Sequence, residues 1–134
     1  MTPDYYLGRA RRAIASARIL LEDGDLEGAC NRAYYCMFDA AKATLTTAEP
    51  GRNPTLAKTH RGLIAAFSQH VVKTGLLSAD LGRSLNQVER IRLLADYTGE
   101  AIDEAKVRWA IDQAAAFLEQ VERHLGNESP RMSQ

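Results

Sequence analysis

The chain has 134 residues, 46% of them hydrophobic, and its 17 lysines and arginines are balanced by 17 aspartates and glutamates. That length suits one domain able to bury a core without disulfides or metal. Charge neutrality excludes a strongly basic nucleic-acid coat protein and an acidic disordered segment, while leaving room for a local basic patch.

Apolar runs are too short to cross a bilayer, and Met1-Thr2-Pro3-Asp4-Tyr5 lacks the basic-then-apolar layout of a signal peptide, so a cytoplasmic protein without membrane contact is expected. Every long segment repeats at helical spacing and none alternates with a period of two. The sequence therefore predicts an all-α, up-and-down bundle of four long helices plus one shorter helix. Thr2-Pro3-Asp4 opens the first helix with a capping hydroxyl, a proline suited to the first turn and an acid at the positive end of the dipole. Leu7, Ala10, Ile14, Ala17 and Leu21 form its stripe, and Glu22-Asp23-Gly24-Asp25 stops it and caps the next helix in a tight reversal. The second helix runs from about Leu26 to Leu45, with Ala29, Cys30, Ala33, Tyr34, Met37, Phe38 and Ala41 on a broad apolar face. Cys30 and Cys36 stand six residues apart, off one helical edge, and read as core thiols rather than a disulfide or metal pair.

Pro50-Gly51 and Asn53-Pro54 break the pattern between Thr46 and Thr55. A third helix is predicted from about Leu56 to Thr74, with His60, Leu63, Ile64, Phe67 and Val71 on one side and Gly75 as its stop. Ser78 caps a fourth, striped by Leu81, Leu85, Val88, Arg92 and Ala95 and ending near Thr98-Gly99. The fifth begins near Ile102 and repeats at Val107, Ile111, Ala114, Leu118, Val121 and Leu125. Residues 1–125 thus read as a single domain, and residues 126–134, polar and containing Pro130, as a frayed tail.

Polar residues on apolar stripes carry the most information. Arg92 holds such a position, where burying a guanidinium costs several kcal/mol unless a carboxylate or phosphate pairs with it. Asp96, four residues on, is within reach of an intrahelical pair that would account for it without any further role. Arg32, Tyr35 and Asp39 form a second line on the second helix, which a tyrosine-rich packing seam explains equally well, with Arg32 extending to water. His60 shares a side with Leu63, Ile64 and Phe67, the place of a hydrogen-bonded core histidine or a capping group. His70, three residues after Phe67, reads as a structural residue, and His124 belongs to the exposed end. There is no GxGxxG or GxxxxGK(S/T) loop, no HExxH, no CxxC and no GxSxG, so no metal and no cofactor are expected.

The segment Asn31-Arg32-Ala33-Tyr34-Tyr35-Cys36-Met37-Phe38-Asp39-Ala40-Ala41 resembles the signature of the prokaryotic HEPN domain family. The likeness continues through Lys58-Thr59-His60 and Gln69-His70-Val71-Val72-Lys73-Thr74-Gly75-Leu76 to Arg92-Leu93-Leu94-Ala95-Asp96-Tyr97, which is similar to the family's R-x-x-A-D-Y block. It implies a helical bundle, a homodimer, cytoplasmic life in bacteria or archaea, a small nucleotidyltransferase as partner, and a place in toxin–antitoxin or defence systems. The activity it implies is metal-independent RNA cleavage by an Arg-x(4–6)-His motif from both protomers. In that chemistry the histidine moves a proton and the arginine holds charge on the phosphate. This chain departs from that motif. Ala95-Asp96-Tyr97 follow Arg92 without a histidine, Arg52 and His60 are eight apart across a proline, and Arg61 and His70 are nine apart. An aspartate in place of the histidine serves as a base only with a raised pKa, which a neighbouring arginine opposes. Family members with Arg-x(4)-His-x-Tyr are modified on that tyrosine, and Tyr97 stands at a different spacing.

The expected function is a HEPN module that binds a nucleotide or RNA phosphate and works with a nucleotidyltransferase. The alternatives are a ribonuclease toxin, in which folding brings His60 beside Arg32 or Arg92, and a purely structural dimerisation module. The expected site is a polar pocket between the second, third and fourth helices, built from Arg32, Tyr35, His60, Arg92, Asp96 and Tyr97, with His60 and Arg92 as the catalytic candidates. Arginines grip phosphate and tyrosines stack on bases. Up-down order groups His60 with Arg92, Asp96 and Tyr97 directly, and Arg32 less directly. Trp109 and Phe117 lie off the last stripe, where large aromatics mark an interface, so a two-fold homodimer is expected.

Overall fold

The hydroxyl of Thr2 accepts a hydrogen bond from the Tyr5 backbone at 3.1 Å, Pro3 takes the first helical position, and α1 runs Pro3–Glu22. The computed structural model describes residues 2–48, 59–98 and 102–128, the side chains of Ala48, Asp96, Tyr97, Thr98, Asn127 and Glu128 excepted. Gly24 turns the chain at φ 87°, which lets the Asp25 N–H reach back to the Leu20 carbonyl at 2.9 Å and close α1. Asp25 then accepts from the Gly28 N–H at 2.8 Å and starts α2, Leu26–Ala48. Two helix ends are thus satisfied within one short reversal.

Alanines let α1 and α2 lie close. Ala10, Ala13 and Ala17 of α1, and Ala29 and Ala33 of α2, are all buried. α2 is the hub of the molecule, packing against α1, α3, α4 and α5. That explains why Tyr34 and Tyr35, about 100° apart around a helix, both find protein neighbours.

Thr59 caps α3, His60–Phe67, by accepting from the Gly62 N–H at 2.9 Å. The expected start near Leu56 falls outside the described residues. A single π-turn, Ser68–Val72, continues α3 and keeps Val71 buried. Gly75, at φ 81°, ends it, with the Leu76 N–H bonded to the Val71 carbonyl at 3.0 Å. α4, Ala79–Thr98, passes so close to this turn that a Cβ on Gly82 would lie 3.3 Å from Val72.

α5 runs Glu104–Glu128 and corrects one expectation, the outer-face place of Phe117. It continues through Gly126 into the segment expected to fray, because a glycine costs a helix only about 1 kcal/mol and the buried Leu125 holds that turn on the core. Phe117 is 0% exposed and packs on Phe67 with ring centroids 5.5 Å apart, so it belongs to the core and not to an outer face. The cause is that α5 packs against α1, α2 and α4 together, which widens its buried face beyond one stripe. Trp109 remains 38% exposed.

Both cysteines are buried thiols outside any disulfide. The Cys36 thiol points at the Ala114 carbonyl at 3.8 Å, and burial pushes its pKa up to about 12, which makes it an inert core group. Among the described residues, no helix is long and apolar enough to cross a membrane.

Candidate functional site

His60 is the first residue of α3, and its ring sits against three aromatic side chains of α2. Tyr34 stacks on it at 5.3 Å with planes 10° apart, Phe38 lies at 4.8 Å, and Tyr35 meets it edge-on at 5.5 Å. Positions i, i+1 and i+4 of one helix can surround a ring in this way because α3 crosses the side of α2 between them. α4 closes the other side. The Arg92 Nη2 is 3.5 Å from His60 Nδ1, and its guanidinium lies 4.7 Å from the centre of the Tyr34 ring. Two more cations flank the box. The Arg32 guanidinium stands 5.6 Å from the Tyr35 ring, and the Lys42 ammonium 4.7 Å from Phe38 and 5.6 Å from Tyr6.

Hydrogen bonds run through the histidine. The Tyr34 hydroxyl, on a side chain 0% exposed, is 3.0 Å from His60 Nδ1 and 3.4 Å from Glu89 Oε2; the Tyr35 hydroxyl is 3.3 Å from His60 Nε2. A guanidinium can only donate. When Arg92 engages Nδ1, that nitrogen is therefore the acceptor, and the ring hydrogen sits on Nε2, facing Tyr35. Tyr34 has one proton for two acceptors, Nδ1 and Glu89. Giving it to Glu89 turns Nδ1 into a donor and leaves Nε2 as a bare base. The chain from Glu89 through Tyr34 thus sets which nitrogen of His60 carries the proton.

Charge and burial favour the neutral ring. Desolvation lowers the His60 pKa below its ordinary value, the Arg92 and Lys42 charges push the same way, and Glu89 opposes them. Burial, followed by the Glu89 charge, holds the Tyr34 phenol far above its ordinary value, so it stays protonated. The site therefore offers a neutral imidazole, a neutral phenol and a set of cations, an arrangement suited to an anion that carries hydrogen-bond acceptors.

Of the expected residues, the structure brings Arg32, Tyr35, His60 and Arg92 together, with Arg32 joined through the face of Tyr35. Asp96 and Tyr97 lie on the last turns of α4, and their side chains, with the expected Arg92–Asp96 pair, fall outside the described residues. Asp39, the third member of the Arg32–Tyr35 line, turns away from this site. It is 3% exposed and pairs with Arg9 of α1 at 3.6 Å, burial raising its pKa while Arg9 lowers it. Sequence reasoning missed Tyr34, Phe38, Lys42 and Glu89. Tyr34 and Phe38 read as core residues, and the available signal was that a fully buried tyrosine needs a partner for its hydroxyl. Among the described residues, no group of three histidine, cysteine or acidic side chains could hold a metal ion.

An all-α bundle that encloses a histidine between two tyrosines and an arginine defines the class, and the family model of the HEPN domain matches residues 4–124. The chain belongs to the HEPN domain family. It is 32% identical over 123 residues to UPF0332 protein glr0978 of Gloeobacter violaceus, covering 89% of this chain and 94% of that one. It is 34% identical over 122 residues to a UPF0332 protein of Thermotoga maritima, with 90% and 88% covered. It is also 32% identical over 116 residues to a Methanocaldococcus jannaschii protein named "Putative toxin MJ0605", with 87% and 83% covered.

Proposed function

We propose that the chain is a HEPN module of toxin type that binds the phosphate of RNA or of a nucleotide at the Arg92–His60 pair. The observation that carries the reading is the meeting of Arg92 and His60, 32 residues apart in sequence, at 3.5 Å within a box of rings. Arg92 supplies a planar pair of donors for phosphate oxygens, His60 Nε2 adds a third donor when the ring hydrogen sits on it, and Tyr35 offers a face for a base. The toxin role draws on the name of the archaeal relative. The nucleotidyltransferase partner and the cytoplasmic setting draw on the family resemblance. Trp109, 38% exposed on α5, supports a two-fold homodimer.

Binding is tested by calorimetry with nucleotides and short RNA on wild type, Arg92→Ala and Tyr35→Phe proteins shown to be folded. The reading expects saturable binding that Arg92→Ala abolishes. Absence of binding to wild type, with Arg92→Ala merely unfolding the chain, makes Arg92 a structural clamp and removes the site.

A second reading, cleavage of the bound RNA, is favoured by the neutral state of His60 and by the Glu89–Tyr34 chain behind it. With its hydrogen on Nδ1 and the Tyr34 proton given to Glu89, His60 Nε2 takes the proton of a 2′-hydroxyl. The O2′–P bond forms, the P–O5′ bond breaks, and the same proton passes from Nε2 to the leaving O5′, while Arg92 holds the charge on the phosphate oxygens. Labelled RNA incubated without added metal decides it. Cleavage lost in His60→Ala establishes the ribonuclease, and intact RNA under conditions of measured binding leaves a binding module.

A further inference from the structure

α3, with its π-turn, and α4 leave a groove between them. At one end a hollow of about 300 Å³ opens between Arg61 of α3 and Glu89, Arg90 and Leu94 of α4. At the other end a hollow of about 190 Å³ lies between Ser68 and Val72 on one wall and Ala79 and Gly82 on the other. Ile64 and Asn86 line both hollows, which makes them one groove. Ala79, Gly82, Asn86, Glu89 and Leu93 follow the i, i+3, i+7 spacing of a single helix face, the kind of seam that ordinarily packs shut. Four of those five residues are small or polar, so the face carries too little apolar volume to fill the space opposite α3. The floor beneath is apolar, with Phe67 and Leu85 buried there, and Leu94 stands at its rim with 50% exposure.

Three arginines line the groove against one acid, Glu89. Arg83 is paired with Asp80 one turn before it, and the Glu89 carboxylate receives the Tyr34 hydroxyl. Arg61 and Arg90, both exposed and on opposite walls, therefore set the charge that an occupant meets. From Ala79 to Leu94 the α4 wall is about 22 Å long at 1.5 Å per residue, the length of a helix of about 15 residues. A small polar ligand would leave most of that apolar floor wet, and a wholly apolar helix would cover two guanidiniums without answering their charge. An acidic amphipathic helix satisfies both. We propose that the α3–α4 groove docks such a helix from a partner protein. Its leucine-type side chains at i, i+3 and i+7 lie over Ile64, Leu93 and Leu94, and its carboxylates meet Arg61 and Arg90. Ala79 and Gly82 let its backbone come close at the narrow end. Neither arginine belongs to the His60–Arg92 pair, so the inference stands apart from the phosphate-binding reading.

The test is selection from a displayed library of random peptides of about 15 residues on the wild-type chain, with an Arg61→Glu/Arg90→Glu variant as the counter-selection. Both replaced side chains are exposed, and circular dichroism confirms that the variant is folded. The expected winners carry net negative charge and apolar residues at helical spacing. The strongest of them, synthesised with a fluorescent label, should bind wild type saturably by anisotropy and weaken as salt rises. Its affinity should fall about tenfold in the charge-reversed variant and several-fold in Leu94→Ala. Winners that are neutral or basic, equal binding to wild type and variant, or no enrichment at all overturn the proposal. Light scattering on the same variant supplies the remaining outcome. A wild-type dimer that becomes a monomer on charge reversal shows that a second copy of the chain fills the groove, which also overturns it.

Discussion

At the scale of single residues, His60 controls how the site responds to pH. Its folded-state pKa lies below the ordinary 6.5, chiefly through desolvation and then through Arg92. Between the two values, the unfolded chain binds a proton that the folded chain refuses. Its contribution to stability is therefore complete above pH 6.5 and declines as pH falls toward the folded value. Thermal melts stepped from pH 7.5 to 5 are expected to show a falling Tm, and His60→Gln should remove that part of the slope. Asp39, raised above 3.8 by burial, works in the opposite sense at more acid pH, so the difference between wild type and variant is the informative quantity. A phosphate bound beside His60 favours its charged form, so binding should take up protons. Calorimetry in buffers of different ionisation enthalpy reads this directly, and identical heats would contradict contact between His60 and the phosphate. Tyr34→Phe leaves both His60 and Glu89 without the hydroxyl they share, and is expected to cost about 1–3 kcal/mol in chemical denaturation. The identity of His60 and Arg92 as notable residues was legible in the sequence. Their shared partners Tyr34 and Glu89 were not, because helical periodicity assigns a residue to a face and says nothing of what its terminal atoms touch.

At the scale of elements, the N-terminus of α3 is the critical piece, since Thr59 caps the helix and His60 begins it. Thr59→Ala is expected to cost about 1 kcal/mol, a fall in Tm of roughly 3–6 °C for a domain of this size. It should also weaken ligand binding by letting the first turn fray. A melt without any shift would show that α3 is held by packing alone. Phe117→Ala should cost about 3–5 kcal/mol, because the ring is buried against Phe67. The sequence predicted five helices, and the described residues contain five. It misplaced the role of Phe117 because one stripe was assumed for α5, which in fact packs against α1, α2 and α4 and sets Phe117 on Phe67 of α3.

At the scale of the whole molecule, the prediction concerns assembly. Light scattering at micromolar concentration is expected to give twice the chain mass. Trp109→Ala should shift it toward the monomer with little change in the melting of the isolated chain, since Trp109 lies at 38% exposure and outside the core. A monomer mass for wild type overturns the homodimer.

Periodicity, caps and turn residues by themselves determined an all-α bundle, the reversal at Gly24, the stop at Gly75 and the inert cysteines, because each depends on interactions within a few residues of chain. The same local reasoning singled out Arg92 as a cation in an apolar stripe. Only the tertiary structure decided that α2 is the hub, that Phe117 is core, that Asp39 belongs to Arg9, and that Tyr34 is the ring on which His60 and Arg92, already grouped by up-down order, both lie. Those outcomes depend on the angle and height at which separate helices cross, and crossing geometry is set by side-chain packing across the whole bundle, which no short stretch of sequence contains.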